Sequence, residues 1–418
     1  MGLFSKRICS FLFGAVVVVS LFVSSEAEIC PYLGFIKTRN CQFVLNGRPF
    51  LFNGFNSYWM MSVGADPKER GKISSVFCDA ASVGLTIGRT WAFSDGGKNA
   101  LQTSPGVYDE KVFQSLDFVI SEARKYGIRL ILSLTNNWKD YGGKHQYVQW
   151  AQKTTSAANI SDDDFFTNKV VKGFYKDHVK KILTRNNTIL DIPYKDDVTI
   201  MAWELMNEPR STSNSTKIIN EWVQEMATYV KSIDSNHLLT VGVEGFYGTE
   251  DRMQCNPNCE QVGTDFIANH QIKEIDFSTI HAYPDAWLQN DCYYNQMSFM
   301  QDWMVNHWMD SMNYLNKPMV FAEFGMSTKN CSCDYEKIQL TNSFLSATYS
   351  YIYNLAQRGG PMSGGLVWQL MAEGMDSYDD GHSIVLSRDC STANIIAQQS
   401  YRMSWLCQFS LNKKKLRH

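Results

Sequence analysis

The sequence predicts one α/β domain, a closed (β/α)8 TIM barrel, with a short β-hairpin at its lower end. Three observations carry that expectation. Eight short apolar segments of strand composition alternate with segments of helical periodicity between Leu51 and Leu370, with no linker between them. Two of the strands stop on a carboxylate beside a turn signal, at Asn207-Glu208-Pro209 and at Glu323-Phe324-Gly325. No glycine-rich phosphate loop follows any strand, which disfavours a doubly wound open sheet, the other arrangement that such alternation allows.

The chain opens with Lys6 and Arg7, an apolar run from Ile8 to Val23 broken by Ser10, Gly14 and Ser20, and small residues at Ser25 and Ala27. This is the pattern of a secretory signal peptide over residues 1–27. A membrane anchor is the competing reading, but the run falls short of the roughly 20 residues that span a bilayer. The mature chain is then a barrel domain over 28–410 with a basic tail, 411–418, and no membrane contact.

Asn46-Gly47 between apolar runs in Phe43–Phe52 signals a hairpin with a type I′ turn, placed to plug the barrel floor. Strands follow at Leu51–Asn56, Leu85–Trp91 and Ile128–Leu134, separated by helices at Pro67–Val83 and Asp109–Tyr126, the latter ended by Gly127. A polar insertion from Asn136 to Ser161 leads to a helix near Phe165–Leu183. The fourth strand starts at Val198, and a helix from Thr216 to Ile233 precedes the fifth at Leu238–Val243. The sixth lies at Ile275–His281 and the seventh at Pro318–Glu323. A helix at Asn342–Gln357 precedes the eighth, Gly364–Leu370.

Lys plus Arg number 39 against 42 acidic residues, a formal charge of −3, which gives no basis for binding nucleic acid or an anionic membrane. Eleven Trp, 20 Tyr and 24 Phe exceed what a core alone asks for and suit a groove that stacks on sugar rings. Of 11 cysteines, Cys9 leaves with the signal, and an even remainder in a secreted chain suggests disulfides. Cys255/Cys259 and Cys331/Cys333 lack the ligand partners of a zinc site and read as loop staples. Asn159, Asn186, Asn214 and Asn330 begin glycan acceptor sequons.

If the strands close into a barrel, their carboxyl ends bring together Arg89 and Trp91, Asn136 to Trp138, Asn207 and Glu208, Glu244, His281 and Tyr283, Glu323, and Trp368. Two carboxylates on separate strand ends are the minimum apparatus for cutting a glycosidic bond. Glu204, about 13 Å deeper at ~3.3 Å per residue, reads instead as a paired core group. Glu244 and Glu373 are open between a supporting role and substrate contact. No G-x-S-x-G elbow supports a serine hydrolase.

The patterns Asn207-Glu208-Pro209, His281-Ala282-Tyr283-Pro284, Glu323-Phe324-Gly325 and Trp368-Gln369-Leu370, with Arg89 upstream, resemble clan-A glycoside hydrolases. Gly88 to Gly96, Asn136-Asn137-Trp138 and Met371 to Asp376 narrow the resemblance to the plant endo-β-mannanases of family 5, over about residues 32–405. The resemblance implies hydrolysis of internal β-1,4 bonds of mannan, glucomannan and galactomannan with retention, in the cell wall, without metal or cofactor. It assigns Glu208 as acid/base and Glu323 as nucleophile. Arg89 is then expected to keep Glu323 ionised, with Tyr283 donating to the same carboxylate and His281 orienting its neighbours. Asn207 would bind the 2-hydroxyl, and Trp368, Trp91 and Trp138 would face the sugar rings. Another β-1,4-glycanase, such as a cellulase, and a catalytically retired glycan-binding protein are the alternatives.

Overall fold

A computed structural model describes residues 34–155, 161–213 and 215–415. The signal-like segment, Asn159 and Asn214 lie outside the described residues.

The eight expected strands all form: β1 Phe52–Asn56, β2 Ile87–Trp91, β3 Arg129–Ser133, β4 Ile200–Glu204, β5 Leu238–Thr240, β6 Ser278–Ala282, β7 Met319–Phe324 and β8 Met362–Val367. Every residue of every one is buried, the mark of strands covered on both faces. They pair in parallel in the order β5-β4-β3-β2-β1-β8-β7-β6. Between β5 and β6 no ladder forms, yet the gap is laced shut. The N–H of Asp276 donates to Leu239 O and that of His281 to Glu244 O, both at 2.8 Å. Thr240 Oγ1 and Thr279 Oγ1 donate across the same seam to Phe277 O and Val243 O, at 3.0 and 3.1 Å. The ring of strands is therefore closed.

A helix follows each strand: α1 Arg70–Ser82, α2 Glu110–Lys125, α3 Lys169–Leu183, α4 Lys217–Ile233, α5 Phe266–Gln271, α6 Tyr293–Asp310, α7 Asp334–Gln357 and α8 Cys390–Lys415. Asp109 caps α2 by accepting from Lys111 N, and Asn168 caps α3 by accepting from Val170 N. The insertion after β3 is not loop alone, since it holds a further helix, Gly143–Thr155, and a short one, Asp164–Thr167. Helix α7 starts eight residues before the expected Asn342, and α8 carries residues 411–415 of the expected basic tail.

Two apolar layers hold the barrel. The outer one lies between strands and helices. The inner one fills the floor with Phe52, Ile87, Ile131, Met201, Leu238, Phe277, Val320 and Leu366, and Ile36 and Phe43 enter it from the hairpin. Strands Lys37–Arg39, Gln42–Leu45 and Arg48–Pro49 form that hairpin sheet. Asn46 and Gly47 sit at φ +52° and +76°, both left-handed, as a type I′ turn demands. Phe43 meets Phe277 at 5.3 Å between ring centroids. With the floor sealed, only the carboxyl end of the barrel is left to hold a site.

The expected disulfides do not form among the described residues. Nine cysteines, including Cys255, Cys259, Cys331 and Cys333, are free thiols. Cys407 instead lies against the backbone of Leu51, whose N–H donates to its Sγ at 3.1 Å.

Candidate active site

Arg89, at the end of β2, is the centre of the polar cluster. Its side chain has no solvent exposure. Nε and Nη2 donate to the two oxygens of Glu204 at 3.0 and 2.6 Å, a bidentate fork. Nη1 donates to Glu323 Oε1 at 2.5 Å and to Asn56 Oδ1 at 3.0 Å, and Nη2 also donates to Asn207 Oδ1 at 2.7 Å. Glu204 takes a further bond from Ser133 Oγ. It is thus the paired core group the sequence suggests, but its partner is the same arginine that holds Glu323.

Glu323 closes β7. Its Oε2 accepts from Tyr283 Oη at 2.6 Å while Oε1 faces Arg89. Burial is the largest influence on this carboxyl and raises its pKa, against the lowering effects of His281, Arg89 and the Tyr283 hydrogen bond. Arg89 acts on Glu323 in the direction expected of it, favouring the carboxylate, and burial opposes it. The same guanidinium also pairs with Glu204, so the two carboxylates share one cationic partner. Tyr283 is pushed well above the usual phenol range by burial and by Glu323, so it remains a neutral donor.

Glu208 sits just beyond β4 in the left-handed region, at φ +51°, uncommon for a residue with a Cβ and costly enough to need fixing by its surroundings. Its N–H donates to Gly242 O at 2.8 Å. A Cβ at Gly242 would lie 2.2 Å from Met206 O, so glycine alone lets β5 approach here. Oε1 of Glu208 lies 2.7 Å from His281 Nδ1, and Oε2 accepts from Trp138 Nε1 at 2.6 Å. Burial raises the Glu208 pKa, opposed first by the Trp138 bond and then by Arg210 and Arg89. His281, fully buried, is lowered by burial and is neutral near pH 7.

Carboxylate oxygens of Glu208 and Glu323 and a ring nitrogen of His281 all lie within 4.8 Å of one another. A divalent cation could use such donors, but Arg89 already places a positive charge 2.5 Å from Glu323. Each of the four carboxylate oxygens also faces a protein partner. The donor set therefore suits carboxylate chemistry better than ion binding.

Asn207 accepts from Arg89 and donates one Nδ2 hydrogen to Asn136 Oδ1 at 3.0 Å, which leaves the second for a ligand. Trp368 is partly exposed at the end of β8 and stacks on Tyr58 at 5.6 Å. Trp91 is only 5% exposed and lies beneath the Arg89 guanidinium and against Trp368. It backs Trp368 and offers little face of its own. Trp138, 41% exposed, stands on the open side of Glu208.

Of the two undecided acids, Glu244 is held by Arg210 through a bidentate pair at 2.7 Å on each oxygen, and burial with Glu208 nearby raises its pKa to about 7. Glu373 is exposed and accepts from Ser387, not from any group of the Glu208–Glu323 cluster. Sequence reading missed Asn56, Arg210 and Asp380. Asp380 accepts from Trp368 Nε1 at 2.7 Å and from Gln369 Nε2 at 2.9 Å, so it sets the Trp368 plane. Asn56 and Arg210 adjoin strand ends already marked, a signal that was there to use. Asp380 lies in an irregular loop and gave none.

Residues 33–380 match the family described as GH family 5 beta-mannosidase-like. The chain is 54% identical over 410 residues to Mannan endo-1,4-beta-mannosidase 5 of Solanum lycopersicum, covering 96% of this chain and 98% of that one. It is 48% identical over 401 residues to Mannan endo-1,4-beta-mannosidase 7 of Arabidopsis thaliana, covering 96% and 92%. Among solved structures, the endo-beta-1,4-mannanase from Thermotoga petrophila superposes with a TM-score of 0.74 at 30% identity, over 86% of this chain and 78% of that one.

Proposed function

Since the chain belongs to the GH family 5 beta-mannosidase-like proteins, we propose that it is an endo-β-1,4-mannanase that cleaves mannan, glucomannan and galactomannan with retention at the anomeric carbon. The observation that carries the reading is the pair of buried carboxyls, Glu208 and Glu323, with oxygens within 4.8 Å of each other. Direct attack by one carboxylate while the other protonates the leaving group needs a carboxyl separation of about 5–5.5 Å, whereas room for an intervening water needs roughly 6.5–9.5 Å.

In the first half-reaction a Glu323 oxygen supplies an electron pair to C1, and Glu208 gives its proton to the glycosidic oxygen. The C1–O bond breaks with its electrons on that oxygen. In the second, the Glu208 carboxylate takes a proton from water, whose oxygen displaces Glu323 from C1. Glu323 loses its charge in the covalent intermediate, and Arg89 keeps a counter-charge in Glu204, so no buried cation is stranded. Tyr283 and Arg89 hold both oxygens of the nucleophile in one orientation. The unpaired Asn207 hydrogen is available to the 2-hydroxyl, and Trp368 to the ring face.

The same reading includes export to the cell wall, supported by the signal-like first 27 residues. The sequon residues Asn186 and Asn330 are exposed where a glycan could be carried. Among the described residues no helix is long and apolar enough to cross a membrane.

The test is reducing-end release from unbranched mannan against carboxymethylcellulose. Activity confined to mannan, lost by a factor of roughly 10² or more in Glu208→Gln and Glu323→Gln, supports the reading. Preference for the cellulose derivative points to another β-glycanase. Wild-type-like rates in either variant refute the residue roles.

A further inference from the structure

We propose that Trp138 is a positioning residue for proton delivery: its indole N–H fixes Oε2 of Glu208 on the open side of the cleft, making Oε2 the atom that protonates the departing sugar oxygen. The inference rests on Glu208 being the acid/base. Two facts separate the carboxyl oxygens. Oε1 lies 2.7 Å from Nδ1 of a histidine with no solvent exposure, so it faces a buried ring that either donates to it or accepts its proton. Oε2 lies 2.6 Å from the indole nitrogen of a residue 41% exposed. An indole N–H only donates. It occupies one lone pair of Oε2 and leaves the other to carry the transferable proton.

The indole is itself held from behind. The Arg210 guanidinium lies 5.4 Å from its ring centroid, and Glu244 fixes that guanidinium at both ends. Arg210 N donates to Asn137 Oδ1 at 3.1 Å, and Lys144 Nζ donates to Arg210 O at 2.7 Å. The loops after β3 and β4 are thus laced together around the Trp138–Glu208 bond. During glycosylation the Oε2–H bond breaks as the sugar oxygen gains the proton and the C1–O pair. During deglycosylation the same oxygen takes the proton of the attacking water.

Trp138→Phe removes the N–H and keeps a ring. The experiment compares wild type, Trp138→Phe and Glu208→Ala on a mannan oligosaccharide, whose departing alkoxide needs a proton, and on a 2,4-dinitrophenyl β-mannobioside, whose leaving group does not. Because each variant is compared with itself on two substrates, a lower folded fraction scales both rates equally. The expected result for Trp138→Phe is a fall of about tenfold in kcat/KM on the oligosaccharide, the size of one hydrogen bond to a charged group. On the activated glycoside the fall stays under about twofold. Arg210, Arg89, Glu204, Glu244, Glu323, His281 and Tyr283 all face or act on Glu208 and are unchanged by the substitution. Removing a donor that stabilises the carboxylate therefore moves the alkaline limb on the oligosaccharide to higher pH. Equal losses on both substrates, or an unmoved limb, overturn the inference. If Glu208→Ala itself shows no leaving-group dependence, the acid/base assignment falls with it. If Glu208→Ala does and Trp138→Phe does not, only this inference falls.

Discussion

Arg89 donates to Glu204, Glu323, Asn56 and Asn207 from a position without solvent contact, so its loss acts on stability and rate together. Removing one member of a buried ion pair typically costs about 3–5 kcal/mol, because the remaining charges are left uncompensated. Arg89→Lys keeps the charge but not the planar fork, which Glu204 uses through both oxygens. We expect Arg89→Lys to fold with a lowered Tm and to lose roughly 10²-fold or more in kcat, while Arg89→Met unfolds at least several degrees lower still. Thermal melts with initial rates check this; a Lys variant with wild-type kcat would contradict it. At this scale the sequence was legible wherever chemistry sits at a strand end. Glu208, Glu323, Arg89, Asn207, His281 and Tyr283 all converge as their positions suggest. What could not be read was how one guanidinium divides between two carboxylates, because that depends on distances across the barrel. The supporting place of Trp91 was hidden for the same reason.

Elements bring these residues together, and the hairpin shows how remote that support can be. Phe43 is 1% exposed and joins the floor cluster with Phe52 and Phe277. Phe43→Ala should destabilise the fold by about 3–5 kcal/mol, the usual cost of truncating a buried phenylalanine. Glu208 and Glu323 stand at the other end of the strands, so kcat at 25 °C should change less than about twofold. Denaturant unfolding alongside kinetics checks both halves, and a large kcat loss without destabilisation would contradict the floor role. The eight strands were legible because each is a short, continuously apolar run between turn signals. Helix α6 was not read, although Met297, Met300, Trp303, Met304 and His307 repeat at helical spacing along its buried face. Helix α5, with six residues, is too short for periodicity to show. The Gly143–Thr155 helix hides in a polar composition that resembles loop.

For the whole molecule, closing the barrel forces several carboxyls into one dry mouth. Glu208 and Glu323 have pKa values raised by burial, and Glu244 is raised to about 7. The folded state therefore binds more protons than the unfolded chain above the ordinary glutamate range. Stability from these groups is fully present below the unfolded pKa and is lost as pH rises through the folded values. Buried His178, His270 and His307, lowered to about 4, 3 and 4, add a rise in stability over this range. Against it the three carboxyls contribute a falling Tm slope between about pH 4.5 and 7, since unfolded glutamates titrate near 4.3. Glu244→Gln should flatten the part of that slope that follows Glu244, and an unchanged slope would contradict its raised value. The barrel class was legible from alternation alone. The even cysteine count pointed to cross-links that the described residues do not form. Cysteine number carries no geometry, whereas a strand end does. The central claim is that Glu323 becomes covalently bonded to the sugar while Glu208 handles the proton. Trapping with a 2-deoxy-2-fluoro-β-mannobiosyl fluoride, followed by peptide mass spectrometry, tests it most directly. The account predicts one added glycosyl group, located on Glu323; a label on Glu208 or elsewhere, or turnover that releases the inverted anomer without any adduct, would contradict it.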